Sequence, residues 1–426
     1  MAGLDAWVVT LVKSWVESAN SAATDFPLNN LPCGVFSVGD DAPHCGVAIG
    51  DYILDVSALE LEGLLNLADH PVFDVPFWNE FMEMGPAVWA DFRAQITAML
   101  LQGASKRWIV EDHLVPIAAA RLHLPFIIAE FTDFYAGRHH ATNVGSMLRD
   151  PANPLPANWL HLPIGYNGRA SSVVVSGSDV RRPLGQLRPA DADMPYFGPS
   201  KRFDFELELG AIVGCASDGP VSVATADAMI FGHVLLNDWS ARDIQAWEYQ
   251  PLGPFQSKAT ATTISPWIVM AAALQPFRAP SLPRELPLLP YLQEPAPMLY
   301  DIKLQVGLTP EAGVETVVTQ TNSAELYYSA AQQLCHHTSS GCPMTVGDLL
   351  GSGTISGPTK PERGSLLELS WGGKEPLAIT GGTRSFLEDG DTITLRGYCA
   401  GDGYRIGFGD CSGKVIAALD VPDWAK

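Results

Sequence analysis

The stretch Asp204-Phe205-Glu206-Leu207-Glu208-Leu209 alternates apolar and acidic residues, which predicts a β-strand with one apolar face and one carboxylate face. Residues two apart on a strand point to the same side and are separated by about 6.6 Å. Glu206 and Glu208 can therefore converge on one hard cation, which prefers oxygen ligands. The alternative interpretation is an acidic sheet face that is solvated and binds nothing.

Composition limits the classes of partner. The chain has 426 residues, of which 47% are hydrophobic, enough for two or three domains with substantial cores. A formal net charge of −21 makes nucleic acid and anionic membrane surfaces unfavourable partners, because both would repel the protein. The apolar run at residues 6–12 lacks a basic region before it, so we expect an amphipathic opening segment. These features predict a soluble globular protein without a nucleic-acid or membrane partner.

The seven cysteines are scattered, odd in number and never form a Cys-x-x-Cys pair. This pattern predicts reduced thiols in a cytoplasmic protein and argues against zinc and iron–sulfur sites. His336 and His337 are adjacent, so on one element they would point apart, and we do not expect them to share a metal.

Local patterns predict a mainly β (α+β) fold. Two short apolar strands flank Gly50-Asp51, which is typical of a tight hairpin. After Pro86 the apolar residues follow a helical period, and we expect a first domain to end near residue 125. Further strands are predicted at 172–176, 203–213, 366–371 and 392–398. The proline-rich segment at 276–297 predicts a rigid surface loop.

Residues 237–249 contain neither glycine nor proline and predict a helix. On such a helix, Asp238, Arg242, Gln245 and Tyr249 would form one polar stripe. The stripe is either the wall of an active site or an exposed face held by a pair between Asp238 and Arg242.

Residues 131–149 concentrate polar groups, among them Asp133, Tyr135, His140 and Arg149. Histidine is the natural general base near neutral pH, and a carboxylate from elsewhere in the chain could orient it. Each of these residues taken singly is more often structural. Their density favours a functional site.

Longer motifs carry a resemblance: TDFYAGRHHATNVGSMLRD, NWLHLPIGYNGRASSVVVSG, RFDFELELG, LLNDWSARDIQAWEYQPLGPF, GDLLGSGTISGP and GDGYRIGFG, with NLPCGVF and GVAIGDYILD nearer the N-terminus. Together they make the chain similar to the fumarylacetoacetase family over nearly its whole length. The wider superfamily of 2-oxo-acid decarboxylases, hydratases and acylpyruvate hydrolases shares the acidic metal site, but we would not expect it to match the N-terminal part.

The resemblance implies a small SH3-like N-terminal β-barrel in residues 1–125 and a larger C-terminal mixed β-sandwich roll in residues 126–426. It further implies a homodimer located in the cytoplasm. The implied reaction is hydrolysis of a carbon–carbon bond in 4-fumarylacetoacetate, a small diketo dicarboxylate, to fumarate and acetoacetate. This reaction ends tyrosine and phenylalanine catabolism.

The resemblance also assigns site residues. The implied ligands of a calcium ion are Asp133, Glu206, Glu208 and Asp238, and those near a magnesium ion are Asp238, Lys258 and Thr262. The implied catalytic residues are His140 as general base, Glu368 as its orienting partner on an opposing strand, and Arg242, Gln245 and Lys258 as an oxyanion hole. The implied substrate-binding residues are Tyr135, Arg149, Tyr166, Gln245, Tyr249 and Thr354, with Arg149 placed to hold a carboxylate.

Some positions depart from the family pattern. His139 stands where glutamine is usual, Asn167 stands where histidine is usual, and residues 257–263 differ from the usual Gly-Lys-Ser-Phe-Gly-Thr-Thr. None of these changes removes a metal ligand or the base, but they affect the loop near the magnesium ion. His139 also leaves two neighbouring candidates for the base, of which His140 aligns with the family.

Two other functions stay open at this stage. A related metal-dependent acylpyruvate or fumarylpyruvate hydrolase would use the same ligands. A catalytically silent, calcium-stabilised dimer would keep the acidic residues, but we would expect it to have lost His140, Glu368 or Lys258.

Overall fold

The computed structural model describes residues 10–189 and 191–425. Most of the predicted opening segment at 6–12 therefore lies outside the described residues. The strands are β1 Cys33–Val38, β2 His44–Ile49, β3 Tyr52–Asp55, β4 Leu114–Pro116, β5 Ala120–His123, β6 Phe131–Phe134, β7 Gly165–Asn167, β8 Val173–Val175, β9 Asp179–Arg181, β10 Leu184–Leu187, β11 Tyr196–Pro199, β12 Phe203–Asp204, β13 Leu207–Val213, β14 Ile230–Asp238, β15 Ser240–Ala241, β16 Thr262–Ile264, β17 Val269–Met270, β18 Arg278–Ala279, β19 Leu299–Tyr300, β20 Lys303–Thr309, β21 Thr316–Asn322, β22 Leu349–Gly351, β23 Leu377–Ile379, β24 Gly382–Arg384, β25 Thr392–Ala400, β26 Arg405–Gly407 and β27 Cys411–Ile416.

Short helices connect many of these strands, so the mainly β (α+β) class predicted from the sequence is confirmed. The α-helices are α1 Val56–Leu61, α2 Asn79–Glu83, α3 Pro86–Leu100, α4 Arg107–Val110, α5 Arg138–Leu148, α6 Val223–Met229, α7 Arg242–Glu248, α8 Ala271–Leu274, α9 Ala330–Thr338 and α10 Leu366–Leu369. Within the described residues, the proline-rich segment at 276–297 contains only brief strand and 3-10 pieces.

The first sheet has the order β4-β3-β2-β1-β5. The predicted hairpin is confirmed: β2 and β3 pair antiparallel, with Ile49 opposite Tyr52. Gly50 has a φ of 56°, a left-handed conformation that a tight turn needs and glycine adopts readily. Helix α3 begins at Pro86, as the sequence pattern predicts, and packs its apolar face into the core.

The largest sheet has eight strands, seven of them in the order β7-β6-β22-β13-β14-β16-β8, with β17 paired to β14. Its register brings chemically important positions together. Asp133 on β6 lies opposite Gly351 on β22, which in turn lies opposite Gly210 on β13. At the other side of β14, Asp238 lies opposite Thr262.

This sheet is covered on both faces, which explains why every residue of β14 is buried. Leu235 packs into a core that includes Leu304 of β20, in the sheet ordered β21-β20-β25-β27-β9. Its neighbours Val234 and Leu236 point the other way. They join a core shared with Phe92 of α3.

The predicted strand at 203–213 is interrupted in the structure. β12 ends at Asp204 and β13 begins at Leu207, so Glu206 lies between two strands. The alternation of side chains holds, but the acidic side is as buried as the apolar side, with Glu206 4% and Glu208 0% exposed. The interpretation as a solvated sheet face is therefore wrong.

The helix predicted at 237–249 is wrong in its first part. Asp238 ends strand β14, because pairing with β13 and β16 occupies the main-chain groups that a helix would need. Helix α7 begins only at Arg242, so Asp238 is not part of a helical polar stripe. An ion pair between Asp238 and Arg242 is not formed; Arg242 pairs with Asp204 and Glu206.

The strand predicted at 366–371 is also wrong, because Glu368 lies on the short helix α10. The Ser365 side chain caps this helix by accepting a hydrogen bond from the main-chain N–H of Glu368 at 3.3 Å. The cap overrides the strand preference of a short apolar run.

Two further observations concern the cysteines and the lengths of the helices. All seven cysteines are free, as the prediction of reduced thiols requires. Among the helices of the described residues, none has the length and apolar character needed to cross a bilayer.

Trp78 offers a test of the N-terminal core. Its ring lies 5.1 Å from that of Phe73 and 5.3 Å from that of Phe81, and its Nε1 donates to the carbonyl of Gly34 at 2.8 Å. Trp78→Ala leaves a large cavity and should lower the free energy of unfolding by about 3–5 kcal/mol, measured by chemical denaturation. The control Trp108→Ala removes a side chain that is 73% exposed and should change that free energy by less than about 0.5 kcal/mol. Equal effects of the two variants would contradict the assignment of Trp78 to the core.

Candidate active site

Four buried carboxyl groups meet at one end of the large sheet. Asp133 lies on β6, Glu208 on β13 and Asp238 at the end of β14, while Glu206 lies in the gap before β13. One oxygen from each of the four lies within 4.8 Å of the others. The structure thus brings together the four residues that the resemblance assigns to a calcium ion.

Two glycines make room for this cluster. A Cβ atom on Gly351 would lie 2.6 Å from Oδ1 of Asp133 and 3.1 Å from Oε2 of Glu208, closer than a side chain allows. Gly353 adopts a φ of 74° and its N–H donates to Oε2 of Glu208 at 2.9 Å. Gly351 and Gly353 therefore allow the backbone to approach the carboxylates closely.

Lys258 and Arg242 supply positive charge on one side of the cluster. Nζ of Lys258 donates to carboxylate oxygens of Glu206 and Asp238. Nη2 of Arg242 lies 2.7 Å from Oε1 of Glu206. Burial alone would raise the pKa of Glu206, but these two cations hold it below its ordinary value. Thr262 is near the same corner, with Oγ1 at 3.5 Å from Oδ1 of Asp238.

The negative charges of Asp133 and Glu208 are not neutralised by neighbouring cations to the same extent. Oδ1 of Asp133 and Oε1 of Glu208 are buried and have no hydrogen-bond partner among the described residues. Burial raises the pKa of both carboxyl groups well above their ordinary values, and their carboxylate neighbours add to the shift. Buried oxygens without a partner are costly, and a set of convergent carboxylates is the donor set of a hard divalent cation. The residues therefore fit a hard divalent cation.

A histidine and a glutamate form the second part of the site. Nδ1 of His140 lies 2.7 Å from Oε2 of Glu368, and both side chains are buried. Glu368 also accepts hydrogen bonds from Asn143 at 2.8 Å, Ser356 at 3.0 Å and Ser365 at 2.9 Å. Burial would raise the pKa of Glu368, but His140 and the hydrogen bonds from Asn143 and Ser365 lower it. The carboxylate is thus fixed in place behind the imidazole.

Nε2 of His140 points toward the acidic cluster and lies 3.9 Å from Oε1 of Glu206. The adjacent His139 points elsewhere, with Nε2 at 3.4 Å from a carboxylate oxygen of Glu325. Of the two neighbouring histidines, only His140 lines the cavity beside the cluster.

This cavity has a volume of about 360 Å³. It is lined by eleven of the residues assigned by the resemblance: Asp133, Tyr135, His140, Arg149, Tyr166, Glu206, Arg242, Gln245, Tyr249, Lys258 and Thr354. The other four, Glu208, Asp238, Thr262 and Glu368, are fully buried and do not line it. The hydroxyl of Tyr166 reaches the cluster, at 3.1 Å from an oxygen of Asp133 and from one of Asp238.

Sequence reasoning missed the residues that connect these parts. Asp204 accepts hydrogen bonds from the main-chain N–H groups of Leu366 at 2.8 Å and Leu367 at 3.0 Å, and from Nε of Arg242 at 2.9 Å. One buried carboxylate thus ties helix α10 to the arginine beside the acidic cluster. The pattern Ser-x-x-Glu at residues 365–368, a helix-start signal, could have revealed α10.

Comparison with known proteins identifies the family of the chain. The sequence matches the family described as fumarylacetoacetate (FAA) hydrolase C-terminal over residues 130–416, and the family described as fumarylacetoacetase N-terminal over residues 29–125. The fumarylacetoacetase of Homo sapiens is 48% identical over 409 residues, which cover 93% of this chain and 97% of that protein. The fumarylacetoacetase of Arabidopsis thaliana is 46% identical over 422 residues, which cover 96% and 99%.

A solved structure shares the fold. The fumarylacetoacetate hydrolase of Exiguobacterium antarcticum superposes with a TM-score of 0.53 and 16% sequence identity, covering 91% of this chain and 99% of that chain. At that identity the likeness concerns the fold alone. The sequence matches, by contrast, extend over both parts of the chain at high identity. The chain is therefore a member of the fumarylacetoacetase family of fumarylacetoacetate hydrolases.

Proposed function

We propose that the protein hydrolyses a carbon–carbon bond of 4-fumarylacetoacetate, releasing fumarate and acetoacetate at the end of tyrosine and phenylalanine catabolism. The observation that carries the proposal is the convergence of the pair His140 and Glu368 with the carboxylate cluster on one cavity. Relatives that bear the name fumarylacetoacetase, and that match nearly the whole chain, support the choice of substrate.

The carboxylate cluster is the proposed metal site. Asp133, Glu206, Glu208 and Asp238 would hold a calcium ion, and a magnesium ion would lie near Asp238, Lys258 and Thr262. The two carboxyl oxygens without hydrogen-bond partners support this assignment. A bound divalent cation supplies Lewis acidity that polarises the oxygens of a diketo substrate.

His140 is the proposed general base. Glu368 accepts from Nδ1, which leaves Nε2 free to take a proton from water on the cavity side. The water oxygen then bonds to the carbonyl carbon next to the fumaryl double bond. The bond between that carbonyl carbon and the neighbouring methylene carbon breaks, and its electron pair leaves on the methylene carbon. The proton that His140 took from water then passes to the methylene carbon, which becomes the methyl group of acetoacetate, while the attacked carbon becomes a carboxyl group of fumarate.

The remaining residues of the cavity have binding roles in this proposal. Arg242, Gln245 and Lys258 would stabilise negative charge that develops on oxygen, and one such donor is typically worth about 3 kcal/mol of transition-state stabilisation. Nη1 of Arg242 donates to Oε1 of Gln245 at 3.1 Å, which holds these two side chains together. The substrate itself would be bound by Tyr135, Arg149, Tyr166, Gln245, Tyr249 and Thr354.

The proposal extends to the organisation of the protein. We expect residues 1–125 to form an SH3-like domain beside a catalytic β-roll in residues 126–426, and two copies of the chain to form a dimer in the cytoplasm. The five-stranded order β4-β3-β2-β1-β5 supports a small separate sheet in the first part. The shared core around Val234 and Leu236 means that the two parts pack tightly.

The direct test is loss of the ultraviolet absorbance of 4-fumarylacetoacetate on addition of the purified protein. We expect turnover to fumarate and acetoacetate, loss of turnover after chelation, and recovery when calcium or magnesium is restored, because the carboxylate cluster needs its cation. Turnover of an acylpyruvate or fumarylpyruvate alone would identify a related hydrolase. Absence of any turnover by folded, metal-loaded protein would favour a silent scaffold.

His140→Ala should reduce kcat by about 100-fold to 10,000-fold, the range that a general base contributes, while leaving the metal content and the melting temperature nearly unchanged. The matched control is His139→Ala, which removes the neighbouring histidine that faces Glu325. The control should keep nearly full activity in the same absorbance assay. Activity retained by His140→Ala, or lost equally in both variants, would end the assignment of His140 as base.

Glu206→Gln should weaken binding of the divalent cation, because it removes a ligand charge from the cluster. Wild-type protein at a calcium concentration of about 100 times Kd should gain about 2.7 kcal/mol of stability, since the ion binds only the folded site. The rise in melting temperature on adding calcium should shrink or vanish in Glu206→Gln, but persist in a control at an exposed carboxylate, Glu375→Gln. Equal calcium-induced shifts in all three proteins would place the ion elsewhere.

A further inference from the structure

Five side chains that carry or can acquire positive charge line the cavity: His140, Arg149, Arg202, Arg242 and Lys258. Three of them pair with carboxylates of the protein, in the contacts His140 to Glu368, Arg242 to Asp204, and Lys258 to Asp238. In the described part of the chain, Arg149 and Arg202 have no carboxylate within salt-bridge distance. The cavity therefore offers two arginines to negative charge from outside the protein.

Arg149 is held in place without using a negative charge. It follows helix α5, and its Nε and Nη2 donate to the carbonyl of Pro154 at 3.2 Å and 3.0 Å. Burial raises the pKa of the Tyr135 hydroxyl to about 12, and the nearby Arg149 guanidinium works against that rise. An arginine and a phenol side by side form a natural site for one carboxylate.

Arg202 lies on a different element, directly before β12. Its main-chain carbonyl accepts a hydrogen bond from the N–H of Arg242 at 2.9 Å, which anchors it beside the start of α7. Its guanidinium carbon lies 5.8 Å from the centre of the Phe386 ring, and the side chain is exposed. An aromatic contact holds a guanidinium by its face and leaves the N–H donors at its edge available.

The net negative charge of the chain explains why two arginines without carboxylate partners among the described residues matter for binding an anionic substrate. With 47 acidic and 26 basic residues, the protein as a whole repels a dianion. A dicarboxylate has two negative ends, and the paired cations of the cavity are already compensated by the protein. We propose that Arg202 binds one carboxylate of the substrate and Arg149 binds the other, so that Arg202 selects dicarboxylates over monocarboxylates. This assignment rests on the function proposed above, which does not itself give Arg202 a role.

The expected size of the effect follows from the contact. A hydrogen bond to a charged group contributes about 1.5–3 kcal/mol, which corresponds to roughly 10-fold to 100-fold in kcat/KM. The loss should appear only for a substrate that carries the matching carboxylate. Arg202 and Arg149 should therefore act on opposite ends of the same molecule.

The experiment compares Arg202→Met, Arg149→Met and wild-type protein on three compounds: the dicarboxylate substrate and two analogues, each with a methyl group in place of one carboxylate. Arg202→Met should lower kcat/KM for the dicarboxylate by about 10-fold to 100-fold and leave one analogue within about twofold of wild type. Arg149→Met should leave kcat/KM for the other analogue within about twofold of wild type. The matched control is Lys201→Met. Lys201 is a neighbouring exposed cation whose Nζ lies 5.5 Å from the centre of the Tyr196 ring, and its replacement should leave kcat/KM for all three compounds unchanged.

Several outcomes would overturn the proposal: an equal loss on all three compounds in Arg202→Met, no loss on the dicarboxylate, or the same loss in Lys201→Met. Calorimetric titration of the same proteins with the same compounds separates this proposal from the proposed reaction. If wild-type protein binds the dicarboxylate without turning it over, the reaction is wrong, but the pattern of affinities still tests Arg202. If wild-type protein binds none of the three, both proposals fail.

Discussion

Four buried carboxyl groups within 4.8 Å of one another are the constraint on which the rest of the structure depends. Like charges at this distance repel strongly in a protein interior, so the fold must compensate them. Lys258 and Arg242 do so for Glu206, while Asp133 and Glu208 keep oxygens without any partner among the described residues. Because the negative charge of the cluster is only partly neutralised by the protein, the cluster is suitable for a divalent cation. Such a cation would bind only the folded site.

The elements around the cluster are arranged to bring it together. Three neighbouring strands of the large sheet contribute a carboxylate or the space for one, since Gly351 between Asp133 and Glu208 has no side chain to displace them. Asp204, only two residues before Glu206, binds both Arg242 and the start of helix α10. The same short segment therefore supports the carboxylate cluster and the helix that carries Glu368.

In the proposed mechanism, two tasks are divided between two groups of residues. The carboxylate cluster would bind the cation, whereas His140 and Glu368 would transfer a proton. Asn143 and two serines donate further hydrogen bonds to Glu368. Because that carboxylate is fully hydrogen-bonded, the imidazole has one fixed orientation, with Nε2 turned toward the cavity. Under the same proposal, Arg149 and Arg202, which line the cavity and have no carboxylate partner among the described residues, would bind the two ends of the substrate.

Short-range patterns predicted the elements whose residues interact with near neighbours. The hairpin around Gly50 needs only a turn between two apolar strands, and helix α3 needs only a proline start and a helical apolar period, so both follow from the sequence. The long motifs were also sufficient to infer the family and the candidate site residues, including the four carboxylates that the structure brings together. Asp204 and Arg202 lay within a quoted motif, but nothing in the motif gave either residue a role.

Only the tertiary structure decided how these residues are presented. Asp238 ends a strand because β13 and β16 pair with its neighbours, although the local sequence is compatible with a helix. Glu368 lies on a helix because Ser365 caps it, and Glu206 leaves its strand and contacts Arg242 and Lys258. Over segments this short, strand pairing, helix capping and burial against distant residues contribute more free energy than the local preference for helix or strand. The sequence therefore determined which chemical groups the site contains, and the tertiary structure determined their geometry.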